Sequence, residues 1–116
     1  MTAFEFSKDI IETCSRYDFI KGIDILLLDE PALKVRAVLN ESIFIDVFYN
    51  AETCKYSFAL IRDNKRIFGA DNLRGWHIHP FENPDEHIDS DPVSLENFLN
   101  MIRANMEKGI FSVRGD

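Results

Sequence analysis

The feature that most constrains this chain is a change of hydrophobic period. Between residues 33 and 70 apolar side chains recur at every second position, whereas the stretches on either side carry them at helical spacing. Leu33, Val35, Ala37 and Leu39 alternate with Lys34 and Arg36, which describes a strand with one buried face. In the next segment Ile43, Ile45, Val47 and Tyr49 share one face while Phe44 and Phe48 occupy the other, so a central strand covered on both sides is expected. Tyr56, Phe58 and Leu60 alternate with Lys55, Ser57 and Ala59, and Asp63-Asn64 joins that strand to Arg66–Ala70 as a tight hairpin. The short apolar run from Ile23 to Leu28, stopped by Asp29-Glu30-Pro31, adds one more strand. Connections this short predict an antiparallel meander.

Helices flank it. Thr2 followed three residues later by Glu5 is a capping-box pattern, and Phe6, Ile10, Cys14 and Tyr17 then recur at helical spacing. Lys21-Gly22 is a helix stop, so the first helix is predicted from about Ala3 to Lys21. Asp91-Pro92 reads as a helix start, with Val93, Leu95, Phe98, Met101 and Ile102 forming an apolar face that ends near Lys108-Gly109. The expected fold is therefore α+β: an antiparallel β-meander of about five strands flanked by an N-terminal and a C-terminal helix. A length of 116 residues accommodates this as a single domain, 1–116, with the ten phenylalanines supplying an aromatic core.

The net charge is -7, from 13 basic and 20 acidic residues. That disfavours a broad, non-specific grip on nucleic acid, which depends on neutralising phosphates with Lys and Arg. The charge is unevenly spread. Lys55, Arg62, Lys65, Arg66 and Arg74 lie in a basic stretch, and Glu82, Asp85, Glu86, Asp89, Asp91 and Glu96 follow without a cation between them. The two cysteines, Cys14 and Cys54, are too few for a disulfide framework and lack CxxC spacing, so both are expected to be buried, reduced thiols. The N-terminal residues lack the pattern of a signal peptide, and no window resembles a membrane span. The reading is a cytoplasmic protein with no membrane partner. The terminal Arg114-Gly115-Asp116 matches an adhesion tripeptide, a match that arises readily by chance and is given no weight.

Between the last strand and the last helix lies ADNLRGWHIHPFENPDEHIDS, which shows little regular pattern. Loops of this length inside a compact domain are uncommon and are usually functional or disordered. All three histidines and the single tryptophan fall within it, which favours function. In an extended backbone Trp76 and Ile78 would face the core while His77 and His79 project from the other side. Two imidazoles at that spacing can share a metal, or hold a phosphate or a proton between them, and His87 could supply a third nitrogen once the chain turns at Pro80 and Pro84. Asp71, Asp85, Glu86 or Asp89 could add a carboxylate, which completes a ligand set acceptable to zinc and related divalent metals. The competing reading is structural: histidines that pin a long loop by hydrogen bonds, and an Asp71-Asn72 pair that does no more than form a turn.

The run YSFALIRDNKRIFGADN, followed by HIHP, FENP and EHI, resembles the TumE-type toxin family of prokaryotic toxin–antitoxin modules. Tyr56-Ser57-Phe58 is similar to that family's Tyr-Ser-Tyr element, Asp71-Asn72 to the pair at its turn, and His77, His79, Pro80 and His87 to its histidine- and proline-rich loop. The likeness covers roughly residues 33–90. It implies a toxin–antitoxin component that acts on RNA or is held by a cognate antitoxin protein, or a divergent relative with another activity. In that reading His79 and His87 handle protons or phosphate, Asp71 orients them and Arg74 supplies charge. The family has arginine and an aromatic residue before Asp-Asn where this chain has Gly69 and Ala70, so a cation beside the phosphate would come from Arg66 or Arg74.

Gly75-Trp76-His77-Ile78-His79-Pro80 also resembles the metal-binding heart of the JAB/MPN metalloprotease family. That likeness implies a metal-dependent hydrolase using His77, His79 and a carboxylate, with Asp91 at a permissible ligand position. His87 or Ile88 stands where that motif has its serine. A third expectation is a non-catalytic protein-binding module, and the phenylalanine-rich sheet is compatible with a homodimer.

Overall fold

A computed structural model describes residues 1–113, so Arg114-Gly115-Asp116 lies outside the described residues. The chain runs helix α1 (Ala3–Cys14), strands β1 (Gly22–Asp29), β2 (Ala32–Val38), β3 (Ile43–Asn50), β4 (Lys55–Arg62), β5 (Lys65–Asp71), β6 (His77–His79) and β7 (Ile88–Asp89), then helix α2 (Leu95–Glu107). The strands form one sheet in chain order, each antiparallel to the next. The α+β meander expected from the period is present, with seven strands. The two additional ones are short, and both come from the histidine-rich segment that shows no strand pattern of its own.

The capping box at the start of α1 forms as read, with Glu5 N donating to Thr2 Oγ1 and Thr2 N to Glu5 Oε1. A second carboxylate reinforces it. Glu30, in the turn after β1, accepts from the amides of Ala3 and Phe4 at 2.8 and 3.0 Å, where the helix has no internal partners for its first N–H groups. The helix stops at Cys14 rather than Lys21. Ser15 Oγ bonds back to the Glu12 carbonyl, successive turns bring the amides of Tyr17 to Cys14 O and Ile20 to Tyr17 O, and Lys21 N enters the sheet on Val38 O. Tyr17 is buried from this turn, its hydroxyl on Asn100 of α2, which is why its spacing mimics a longer helix. Helix α2 likewise starts later than Asp91-Pro92: Ser94 is the N-cap, accepting from Asn97 N at 3.0 Å.

Both helices lie on one face of the sheet. The core between them includes Ile10, Phe98, Leu99 and Ile102 from the helices and Leu33, Ile43, Ile45, Tyr49, Phe58 and Leu60 from the strands. The opposite face carries no helix, which corrects the expectation that β3 is covered on both sides. Phe48 is exposed there, and Phe44 is half-buried beneath the Arg36 guanidinium, 3.9 Å from the ring centroid and paired with Asp46. Strand β1 forms the sheet edge, with Ile25, Leu26, Leu27 and Leu28 all exposed. Of the cysteines, Cys14 is buried as expected and Cys54 is exposed in the turn before β4. Among the described residues no helix is long and apolar enough to cross a membrane.

Candidate functional site

The site forms at the end of the sheet where β5, β6 and β7 meet. At the β4–β5 hairpin Asp63 and Asn64 both take positive φ, as a two-residue turn between twisted strands requires, and this starts β5 in register. The β5–β6 ladder then sets Asp71 opposite His77, Ala70 opposite Ile78 and Gly69 opposite His79. Because side chains alternate along a strand, Gly69, Asp71, His77 and His79 share the face without helices, while Ala70 and Ile78 face the core. Trp76 packs on Tyr56 and Phe58, with ring centroids 5.9 and 6.3 Å away. The two anchors expected from the sequence, Trp76 and Ile78, therefore do hold the segment to the core.

The imidazoles do not project into open solvent. His79 is 2% exposed, His77 7% and Asp71 6%, because the segment after Pro80 folds back over them. Phe81 anchors the start of that segment on the core side, stacked on Phe68 at 4.5 Å, and on the side of the imidazoles Arg66 Nη2 donates to the Pro84 carbonyl at 3.0 Å. That return path delivers His87 to the other two rings. The centroids lie 4.9 Å apart for His77 and His79, 4.7 Å for His77 and His87, and 4.5 Å for His79 and His87, so the three imidazoles form a near-equilateral cluster. His87 alone among them is exposed.

Asp71 joins the cluster from below. Its Oδ1 is 3.1 Å from His77 Nε2 and its Oδ2 is 3.1 Å from His79 Nε2, while Oδ1 also accepts from the Leu73 amide at 3.1 Å. The turn contact and the two imidazole contacts of Asp71 thus coexist in one carboxylate. Asn72 is structural: its side chain accepts from Tyr56 N and donates to Cys54 O, stitching the turn to the start of β4. The Nδ1 of His77 lies 3.0 Å from the Gly75 carbonyl, and the Nδ1 of His79 is buried without a hydrogen-bond partner.

A cleft of about 490 Å³ opens over the cluster, with Arg66, Leu73, Arg74 and Asp89 around its rim. Asp71, Arg74, His77, His79 and His87 are therefore brought to one place, and Asp89 is the second carboxylate at that cleft. Asp91 instead lines a separate hollow beside α2 with Ile78, Pro92 and Asn100. Gly69 has a role that its residue type alone does not disclose. A Cβ at that position would sit 3.1 Å from Phe58 O, 3.1 Å from Arg66 Cδ and 3.5 Å from His79 Cδ2, so the bare glycine lets both side chains lie across it. The signal available in the sequence was a glycine inside a strand, two residues before an acid, which marks close approach by another group.

The arrangement can bind a cation among three nitrogens and a carboxylate, or relay a proton between imidazoles held by that carboxylate beside two arginines. No family model, curated protein or solved structure matches this chain.

Proposed function

We propose that this chain is an enzyme acting on RNA phosphates, a TumE-like component of a toxin–antitoxin pair or a divergent relative of one. The observation that supports the reading is the convergence of His77, His79 and His87 on Asp71 within a cleft that also carries Arg66 and Arg74. In this reading His87, the exposed ring, meets the substrate and exchanges the proton. His79 and Asp71 stand behind it and fix the geometry, and Arg74 with Arg66 offsets the charge that develops on the phosphate. The basic stretch serves one short segment of single-stranded substrate rather than a long duplex, which fits an otherwise acidic chain.

The decisive experiment measures cleavage of defined single-stranded RNA by purified protein, together with growth arrest on induced expression. Replacing His87 by alanine should lower turnover by about 10²–10⁴-fold, the usual contribution of a positioned acid or base, while the circular dichroism spectrum stays the same. A His79→Ala/His87→Ala protein with full activity in both assays overturns the proposal. A cognate antitoxin would co-purify with the wild-type chain. If such a partner binds and neither assay shows activity in its absence, the non-catalytic binding module replaces the enzyme.

A further inference from the structure

We propose that His77, His79 and His87 hold one divalent transition-metal ion of the zinc class, with Asp71 supplying the carboxylate that balances its charge. The proposal rests on the geometry of the site above, not on RNA being the substrate, and it gives His87 a different task. A ring nitrogen that ligates a metal has no lone pair free to exchange a proton, so in the loaded protein His87 is a ligand rather than the acid or base. The first reason is ligand placement. One nitrogen from each ring lies within 4.8 Å of the others, whereas a tetrahedral site with metal–nitrogen bonds of about 2.0–2.1 Å needs separations of roughly 3.3 Å. Two of the rings are fixed on β6, and the third is carried by an exposed residue at the end of a loop, so His87 is the ligand able to close the difference.

The second reason is a tautomer argument. A backbone carbonyl only accepts, so the 3.0 Å contact with Gly75 O requires a hydrogen on His77 Nδ1. The neutral ring then presents a bare lone pair at Nε2, and that lone pair faces Asp71 Oδ1, itself an acceptor, at 3.1 Å. Two acceptors at this distance repel unless a proton or a metal ion lies between or beside them; a proton on His77 Nε2 would relieve this contact alone, whereas a metal ion also serves His79. A Gly75 carbonyl on Nδ1 is also the kind of outer partner that fixes a metal-bound histidine in the tautomer that ligates through Nε2.

His79 leads to the same place. If its Nε2 donates to Asp71 Oδ2, its Nδ1 is a bare acceptor in a ring that is 2% exposed, and no donor reaches it. Buried polar atoms without partners are rare in folded proteins and commonly mark an ion or a catalytic role. A cation in the cluster resolves both rings together. Three imidazoles and a carboxylate match the nitrogen and oxygen preference of zinc and its neighbours, and provide none of the all-oxygen shell that calcium or magnesium favours.

The test uses the full chain stripped with chelator and then titrated with Zn²⁺ or Co²⁺ in a calorimeter, with the Co²⁺ absorption spectrum recorded alongside. The expected result is one equivalent per chain, a four- or five-coordinate Co²⁺ spectrum without thiolate charge-transfer bands, and a thermal midpoint that rises on loading. His87→Ala, which alters an exposed loop residue, should abolish stoichiometric uptake without changing the fold. Asp71→Asn should weaken uptake by roughly 10–100-fold if the carboxylate acts as an outer partner, and by more if it ligates directly. Cys54→Ser should change nothing. No uptake by the wild-type chain overturns the proposal, as does uptake that survives His87→Ala or is lost with Cys54→Ser. Stoichiometric metal in a protein inert toward RNA sustains the metal site and rejects only the substrate. RNA cleavage that persists in chelated protein without metal uptake rejects only the metal site.

Discussion

Gly69 faces His79 across the β5–β6 ladder, and the missing Cβ leaves the space over which Arg66 and the imidazole both lie. Arg66 passes over the glycine to reach the Pro84 carbonyl. Gly69→Arg should therefore not add a useful cation. Its Cβ would press on Phe58 O, which is backbone of a central strand, and its longer stem would displace Arg66. Overpacking of this kind costs about 1–3 kcal/mol. Urea denaturation should show a lower midpoint at unchanged slope, and a variant as stable as the wild type would mean that the glycine is not a spacer.

The bridging of two imidazoles by Asp71 predicts a second outcome. Asp71→Asn keeps the shape of the side chain and an oxygen for the Leu73 amide, but removes the charge that both Nε2 atoms face. Activity at the cleft should fall by roughly 10–100-fold with a smaller change in substrate affinity, because the carboxylate positions the rings and is not itself at the mouth of the cleft. Steady-state kinetics separates these quantities. Unaltered turnover would remove Asp71 from the mechanism.

Arg74 and Arg66 should differ in how they fail. Arg74 lies exposed on the rim, so Arg74→Ala should weaken binding of single-stranded RNA uniformly across sequences. The slope of log affinity against log salt should become shallower by about 0.7, the value for one phosphate contact on a single strand. Arg66 also tethers the loop, so Arg66→Ala should lower affinity and increase protease sensitivity near Pro84. Fluorescence anisotropy at several salt concentrations reads the first effect. A slope unchanged by Arg74→Ala would remove Arg74 from the proposed contact with RNA.

The fold was legible wherever a period spans enough residues to be seen. Strands β2 to β5 follow from alternation, and the inward direction of Trp76 and Ile78 follows from their spacing. What escaped is set by long-range contacts. Tyr17 keeps helical spacing after the helix has ended, because burial against α2 needs a position in space and not a helical backbone. Strands β6 and β7 are three and two residues long, too short for a period; β6 adds to the free ladder of β5, and β7 to that of β6. Glu30 reaches the start of α1 across a separation of 26 and 27 residues, which no local pattern reveals. For the site, the pairing of His77 with His79 was readable from the HxH spacing. The arrival of His87 depends on Phe81 and Arg66 pinning the loop, which only the folded chain discloses.

The sheet edge predicts self-association. Strand β1 is first in the sheet, so the outer side of its backbone has no neighbouring strand, and Ile25 to Leu28 are between 41% and 47% exposed. Natural edges are usually blunted by charge, proline or a bulge, and here the bulge near Leu26 interrupts only the pairing with β2. Sedimentation velocity should show reversible association that grows with concentration. Leu26→Lys/Leu28→Lys should shift it toward monomer by at least about tenfold in dissociation constant, since edge lysines oppose strand addition. A wild-type chain that stays monomeric at the highest soluble concentration would show that this edge is not used for pairing.

The two thiols should behave oppositely, and the difference carries a pH dependence. Burial pushes the Cys14 thiol up to about 11, because an ionised sulfur would lose its water among the core side chains of α1. The unfolded chain ionises this group near its ordinary value of about 8.5. Below that pH both states hold the proton and the group contributes nothing to the pH dependence. Above it the unfolded chain releases the proton while the folded chain retains it, so stability falls as pH rises, by at most about 1.4 kcal/mol per pH unit, and levels off once the folded thiol ionises too. Thermal unfolding of wild type between pH 8 and 11 should show that decline, and Cys14→Ala should flatten it while lowering the overall midpoint through the lost packing. Thiol titration with an aromatic disulfide should label Cys54 at once and Cys14 only on unfolding. Rapid labelling of both would mean that α1 opens far more often than its core contacts allow.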